Sequence, residues 1–357
     1  MSGDNISSSW ACVCGSKIGG EIVQNVAVQV QQRGDLLESS LAIERRSASE
    51  LSYANFLNDY VRRNRPVVIE RSVPQWKAIQ EWSPEFFANR FGEVTVGVTY
   101  GVKMPMAELI RRIADSSPEN PGPYLHQLII HHHLPALLQW LNPENRYGYP
   151  RRFCSPLMPK RCRRPDGYLK LLIGGPGGKF PFMHYDSDNA NAVITEIYGD
   201  KAMILFSPDD SGYLYPKDGD INVSQIEDIR NSDLDRFPLF LRATPWSTVL
   251  HPGDTIFIPS KWWHSASAVT TSISVCTNML DSSSWKGFVD WLCRPRAGWS
   301  WPVRTAARSY LTLLGYVLSA AELFQGSLPG TPIAKACGLL SPLERGVIVQ
   351  KAGSSFS

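Results

Sequence analysis

No run of this sequence is long and apolar enough to cross a bilayer. The most apolar stretch, SYLTLLGYVLSAAELF (309–324), covers 16 residues and contains Glu322, short of the ~20 that a spanning helix needs. It reads as a packing helix, and no membrane partner is expected. Cysteine is scarce and scattered, with seven residues at 12, 14, 154, 162, 276, 293 and 337. Cys12-Val13-Cys14 has no second Cys or His pair at zinc-ligand spacing, which argues against a zinc module. The start carries no charged-then-apolar leader. Scattered thiols without one suggest a reduced, intracellular and cytoplasmic protein. Charge of one sign is lacking too: the formal net charge is +3, and nothing demands a nucleic-acid partner. There is no internal repeat and no low-complexity linker. What is there, 357 residues of which 43% are hydrophobic, suffices for one large domain or two small ones.

Texture divides the chain into four parts. Residues 1–46 are expected to form a flexible N-terminal segment, rich in Ser and Gly over the first twenty. Residues 47–167 read as an α/β lead-in. A helix is predicted over 47–64 with Ser49 as cap, then a strand at RPVVIE (65–70), a helix from SPEFFANRF (83–91), a strand at EVTVGVTYG (93–101) and a helix at PMAELIRRIAD (105–115). From 168 to 284 the runs YLKLLIGG, AVITEIYG, KAMILFSP, STVLHPGDTIFIPS and SISVCTNML are short, β-rich and punctuated by Gly, Pro and Asp. Such spacing reads as an antiparallel sandwich or barrel. Residues 285–357 are expected to be a C-terminal helical segment.

Two charge clusters are read as solvated loop surface, with a substrate entrance as the alternative. Residues 151–170 hold seven basic side chains, from Arg151 and Arg152 to Lys170, and residues 218–236 hold six acidic ones, including Asp218, Glu227 and Asp235. The triplet His131-His132-His133 cannot converge on one ion, because adjacent residues of a helix or strand diverge.

The stretch FPFMHYDSDNANAV (180–193) places His184 and Asp186 one residue apart in what reads as a buried strand. Positions i and i+2 of a strand share a face, so an imidazole and a carboxylate enter the interior together. A partner lies about eighty residues on, in HPGDTIFIPSKWWHSASAV (251–269), where an apolar strand leads to Trp262-Trp263-His264. A barrel that folds back on itself brings His264 beside the pair. Two imidazoles and one carboxylate on one face of an octahedron leave three positions open, the arrangement of non-haem Fe(II) oxygenases. Those positions suit a bidentate 2-oxo acid and O₂. A cation would also neutralise the buried charge.

The ordered set H-x-D, GDKAMILFSP and PGDTIFIPSKWWH resembles the Jumonji-C, or cupin-8, group of Fe(II)/2-oxoglutarate-dependent oxygenases. It is most similar to the branch that contains the asparaginyl hydroxylase of the hypoxia-inducible factor. The likeness covers about residues 47–295 and includes the lead-in NFLNDYVRRNRPVVIERSVPQWKAIQEWSPEFF. It implies a mainly β fold with flanking helices around a double-stranded β-helix, or jelly-roll, core. It implies Fe(II) held by His184, Asp186 and His264, with 2-oxoglutarate and O₂ as co-substrates. Lys201 matches the lysine that grips the distal carboxylate of 2-oxoglutarate, and Tyr124 resembles the tyrosine that supplies a second hydrogen bond. The implied reaction hydroxylates a protein or peptide side chain, or a small molecule, and releases succinate and CO₂.

The sequence also departs from the family pattern. Pro181 stands where a Thr or Ser commonly helps to bind the co-substrate. The asparagine that follows H-x-D has two candidates, Asn189 and Asn191, and the segment up to Lys201 is two residues longer. On the last core strand Cys276 or Asn278 stands at the asparagine position. Two other readings stay open: a metal-dependent cupin isomerase or dehydratase without 2-oxoglutarate, which Pro181 favours, and a non-catalytic cupin-fold binding protein. Finally, VRTAARSYLTLLGYVLSAAELF (303–324) places Tyr310, Leu311, Leu314, Val317, Leu318 and Ala321 on one broad apolar face, widened by Leu313 and Tyr316. A homodimer through this helix is expected, as the resemblance also implies, with a helix packed entirely on its own domain as the alternative.

Overall fold

Runs of β-branched and aromatic residues between Gly, Pro and Asp turns give short strands. The computed structural model describes residues 37–148, 152–160, 162–163, 169–295 and 299–327. The N-terminal half supplies β1 (Leu41–Ala42), β2 (Arg45–Ser47), β3 (Val67–Glu70), β4 (Thr95–Gly97), β5 (Lys103–Pro105) and β6 (Leu125–Ile129). Next come β7 (Lys170–Gly174), β8 (Asn191–Tyr198), β9 (Lys201–Phe206), β10 (Pro216–Lys217) and β11 (Asp220–Ser224). The last four are β12 (Pro245–Leu250), β13 (Thr255–Ile258), β14 (Trp263–Ala268) and β15 (Ser272–Met279). A seven-stranded sheet in the order β2-β3-β13-β8-β15-β7-β6 is complemented by a four-stranded one, β1-β12-β9-β14. All pairings among β7, β8, β9, β12, β13, β14 and β15 are antiparallel, whereas β1 and β2 join in parallel. This is the jelly-roll core, a mainly β fold with flanking helices.

Strand parity decides what the two sheets enclose. Ala192 and Ile194 of β8, Met203 and Leu205 of β9, Ile256 and Ile258 of β13, and Cys276 of β15 form one interior cluster. The alternate residues Val193 and Phe257 pack outward against Phe56, Tyr60 and Tyr147. Side chains on the first parity therefore reach the barrel interior, and those on the second reach its outer layer.

The N-terminal part differs from the sequence reading in two places. Of the segment 1–46 expected to be flexible, Leu41–Ala42 and Arg45–Arg46 lie in sheets, beside β12 and β3. Cys12-Val13-Cys14 lies outside the described residues. The helix expected over 47–64 is shorter, because Ser47 belongs to β2. It runs from Tyr53 to Phe56 and continues as one π-turn, Leu57–Val61. Its cap is Ser52, whose Oγ accepts from the Asn55 amide at 3.1 Å, while Ser49 bonds Ser47. The strand predicted over 93–101 stops at Gly97, since Tyr100 and Gly101 adopt positive φ values of 62° and 73°. The helices at Pro84–Phe91 and Met106–Ala114 follow the predicted spans closely.

Two helices close the described chain, Ser282–Leu292 and Trp301–Ser327. No helix among the described residues is long and apolar enough to cross a membrane. The second packs Leu311, Leu314, Leu318 and Ala321 against Trp285, Phe288 and Phe153. Gly315 permits this approach, since a Cβ there would lie 2.3 Å from Trp285 Nε1.

Arg152, expected on a solvated loop, is instead fully buried beneath this helix. Its guanidinium donates to both carboxylate oxygens of Glu322, at 2.7 and 2.6 Å, and to Ser319 Oγ at 2.9 Å. The Glu322 carboxyl is raised by burial and pulled back by Arg152. Removing one partner of such a pair strands the other, so Arg152→Ala is expected to cost about 3–5 kcal/mol. Chemical denaturation reads this directly, and an unchanged midpoint would refute the structural role.

Candidate metal centre

The segment that begins at Gly177 runs antiparallel to β14. Gly177 N–H donates to the Ala268 carbonyl at 2.9 Å, and Ala268 N–H donates to the Gly178 carbonyl at 2.8 Å. Farther along, His184 and His264 exchange both backbone hydrogen bonds, at 3.2 and 2.8 Å. Lys179 bridges Ser267 and His184 bridges His264, so five steps on one side oppose three on the other. The surplus forms a bend that contains Pro181, which has no N–H to give a ladder. The expectation of a regular buried strand across 180–193 is thereby corrected: β8 starts only at Asn191. Direct backbone pairing of the two histidines sets their rings 4.5 Å apart, centroid to centroid.

One ligand atom from each of His184, Asp186 and His264 lies within 4.8 Å of the others, the one such group among the described residues. The ring Nδ1 of His184 lies 3.2 Å from the Phe182 carbonyl, and that of His264 lies 3.0 Å from the Trp262 carbonyl. A carbonyl only accepts, so both Nδ1 atoms carry the proton and both Nε2 lone pairs are left for a cation. Burial, followed by the neighbouring His264, pushes His184 down to about 3 and keeps it neutral. Burial raises the Asp186 carboxyl, but His264, Lys170, His184 and the Asn278 amide outweigh it and hold the group below its ordinary value. Two imidazoles that turn Nε2 to the site and a carboxylate held below its ordinary value fit a divalent first-row metal with open positions.

Behind the triad, Asn278 Nδ2 donates to Asp186 Oδ2 at 2.8 Å, and Lys170 Nζ donates to Asn278 Oδ1 at 3.0 Å. Phe180 and Phe182 pack against the His184 ring, with centroids at 4.5 and 5.6 Å. They form an apolar wall on that side.

Deeper in the barrel lies Lys201, wholly buried. Its Nζ contacts Ser274 Oγ and lies 3.5 Å from Glu196 Oε2, with the Tyr124 ring centroid at 6.0 Å. Tyr124 fits there because Gly174 lies beneath its ring; a Cβ at Gly174 would come within 2.4 Å of it. Along β15, Ser274 touches Lys201, Asn278 touches Asp186, and Cys276 lies between them on the same face. Four strand residues span about 13 Å, so the lysine and the triad lie at two ends of one inward face of β15.

The other expected site residues are distributed as follows. Asn278 reaches the triad. Asn191 has the outward parity, and its amide serves the framework: Oδ1 accepts from Ser260 N–H at 2.8 Å, and Nδ2 faces the Met279 carbonyl and Asp281. The co-substrate role expected of Asn191 is corrected on that ground. Asn189 likewise donates to the Gly287 carbonyl, at 3.3 Å. His131, His132 and His133 form a short helix end with Ile130, and His133 Nδ1 bonds the Ile129 carbonyl. Asp218, Glu227 and Asp235 are exposed, as a solvated surface requires. Glu196, Ser274 and Lys170 were missed by sequence reasoning. Glu196 had a readable signal, as the one charged residue of AVITEIYG, five positions before Lys201.

The sequence matches the Cupin-8 model, a cupin-like domain, over residues 53–280. It is similar to lysine-specific demethylase 8 of Xenopus tropicalis, 28% identical over 254 residues that make up 67% of this chain and 53% of that protein. The tRNA wybutosine-synthesizing protein 5 of Danio rerio is 29% identical over 253 residues, 64% of this chain and 72% of that protein. For the arginine-specific demethylase JMJ22 of Arabidopsis thaliana the figures are 25% over 257 residues, 69% and 48%. The chain thus spans about half the length of the two demethylases. With the family match covering well over half of its residues, the chain belongs to the Cupin-8, or Jumonji-C, family of 2-oxoglutarate oxygenases.

Proposed function

We propose that this protein is an Fe(II)- and 2-oxoglutarate-dependent dioxygenase that hydroxylates a protein or peptide side chain, or a small molecule, and releases succinate and CO₂. The observation that carries the reading is the group His184, Asp186 and His264, three donors within 4.8 Å on the same inward face of the barrel as the buried Lys201. Iron and 2-oxoglutarate, when bound, supply the oxidising power for C–H hydroxylation. The chain's own residues bind and orient. His184 and His264 present Nε2, fixed by the carbonyls behind them. Asn278 holds one oxygen of Asp186, which leaves the other for the metal. Phe180 and Phe182 keep water from one side of the triad. Lys201, with Tyr124, receives the distal carboxylate. The demethylase names of two relatives fit the same chemistry, because hydroxylation of an N-methyl carbon is also C–H insertion. The thiols of Cys276 and Cys293 suit a reducing compartment, the cytoplasm.

Anaerobic addition of 2-oxoglutarate to the Fe(II)-loaded protein tests this reading. A weak visible charge-transfer band is expected, followed on admission of O₂ by iron-dependent succinate. A protein that binds iron but gives neither the band nor succinate would overturn it.

A homodimer through the C-terminal helix belongs to the same proposal. Leu311, Leu314 and Leu318 are covered by the chain itself, whereas Tyr310, Leu313, Tyr316 and Val317 are exposed at 47, 65, 72 and 42%. These four form an uncovered apolar stripe, and a second copy supplies the same stripe in a symmetric pairing. Leu313→Arg, on the exposed side, is expected to yield monomers with unchanged folding. Leu314→Arg would disturb the core instead. Light scattering reads the mass, and a monomeric intact protein at micromolar concentration would refute the dimer.

A further inference from the structure

We propose that binding of a 2-oxo diacid at Lys201 is accompanied by uptake of one proton at Glu196, so that co-substrate affinity is switched by pH. The proposal rests on the reading of Lys201 as the anchor of the distal carboxylate.

Glu196 and Lys201 project from β8 and β9, strands of opposite sheets, and meet inside the barrel with no exposed side-chain surface. Their contacts are unequal. Ser272 Oγ donates to Glu196 Oε1 at 2.6 Å, while Oε2 accepts no hydrogen bond and lies 3.5 Å from Nζ. As an ion pair the two side chains are neutral together. A dicarboxylate whose distal end reaches Nζ adds a second carboxylate to one lysine. The buried cluster would then carry a net negative charge with no exposure to solvent, which is strongly unfavourable. Like charges at such separation do not both stay ionised. One proton on Glu196 restores neutrality. Placed on Oε2, it also turns the unused acceptor into a donor toward the incoming carboxylate.

The surrounding groups leave Glu196 as the site of that proton. The titratable side chains that face it are Lys201 on β9, Tyr124 just before β6 and Cys276 on β15. Burial raises Tyr124 above its ordinary value and pushes Cys276 up to about 11, so both are already protonated at neutral pH. Lys201 is lowered by burial, but Glu196 and Tyr124 more than reverse this and keep it charged. Burial raises Glu196 itself, against the pull of Lys201. Ser272 and Ser274 do not titrate. The turn before β13 offers only backbone: Glu196 N–H donates to the Asp254 carbonyl, and the Asp254 carboxylate is turned to Arg45 at 2.6 Å.

Calorimetric titration of 2-oxoglutarate into the Mn(II)-loaded protein tests the proposal, in buffers of differing ionisation enthalpy between about pH 6 and 9. Both ligand carboxyls are ionised throughout that range. Up to one proton is expected to be taken up per ligand, with affinity falling by as much as about tenfold per pH unit where uptake is complete. Glu196→Gln keeps the shape, adds a permanent donor and is expected to bind with no uptake and a flat profile. Wild-type binding without proton uptake overturns the proposal and leaves the 2-oxoglutarate reading intact. Failure of both proteins to bind 2-oxoglutarate at any pH overturns the two together. Should Glu196→Gln not fold, the wild-type buffer series decides alone.

Discussion

Alanine at His184, Asp186 or His264 is expected to abolish iron-dependent consumption of 2-oxoglutarate, by at least ~10²-fold, while the barrel stays folded. The loss follows from geometry: three donor atoms within 4.8 Å form one face of a coordination shell, and two remaining donors hold neither the metal nor its orientation. The retained fold follows from position. His184 sits at the bend before β8, and His264 at the start of β14 opposite Leu205, but neither ring is a member of the interior cluster of Ile194, Met203, Leu205 and Ile256. Their backbone pairing does not depend on the ring. Asn278→Ala should be milder, since Asp186 keeps its place but loses the hydrogen bond at 2.8 Å; a 10–100-fold fall in metal affinity is about what such a second contact supplies. Metal retention after gel filtration, succinate formation and circular dichroism separate these outcomes. A single alanine variant with wild-type turnover would remove that residue from the ligand set.

Much of this architecture is legible in the sequence because its signals are local. Gly, Pro and Asp punctuate the strands from β7 to β15, and the run PGDTIFIPSKWWH joins an apolar strand to a histidine. The Asn191 and Glu196 errors share one cause. Both lie in a strand buried along its whole length but for Tyr198, where apolar alternation is absent and composition no longer reveals the face. Counting parity from a single known inward residue would have placed Glu196 in the barrel and Asn191 outside it. Arg152 was beyond reach for another reason. Its partner Glu322 lies 170 positions away on a helix that reads as amphipathic without it, so only tertiary structure shows why an arginine in a basic loop turns inward. The shortened first helix is a case of a sheet winning over propensity: Arg45–Ser47 gains a ladder with β3 that a helix would have to give up.

Lys201→Ala should have two consequences that a surface lysine could not produce together. The first is weaker co-substrate binding, about ten- to hundred-fold, because a charge-assisted hydrogen bond to a carboxylate contributes roughly 1.5–3 kcal/mol. The second is a loss of stability that grows with pH. In the wild type Glu196 faces a buried cation at 3.5 Å; in the variant it faces none, and removing one partner of a buried pair costs about 3–5 kcal/mol. Burial already raises the Glu196 carboxyl, and without Lys201 nothing opposes that shift except Ser272 and Ser274. A carboxyl whose folded pKa lies above its unfolded value binds more protons when folded. The variant is therefore most stable below the unfolded value and loses stability as pH rises toward the folded one. Wild-type protein, which keeps the pair, should show a flatter profile over the same window. Lys201→Met combined with Glu196→Gln should recover most of the stability, because neither buried charge remains, yet should not recover 2-oxoglutarate affinity. Urea midpoints measured across that pH range, together with co-substrate titrations, read both effects. If Lys201→Ala left stability and co-substrate dependence unchanged, Lys201 would be neither anchor nor counter-ion.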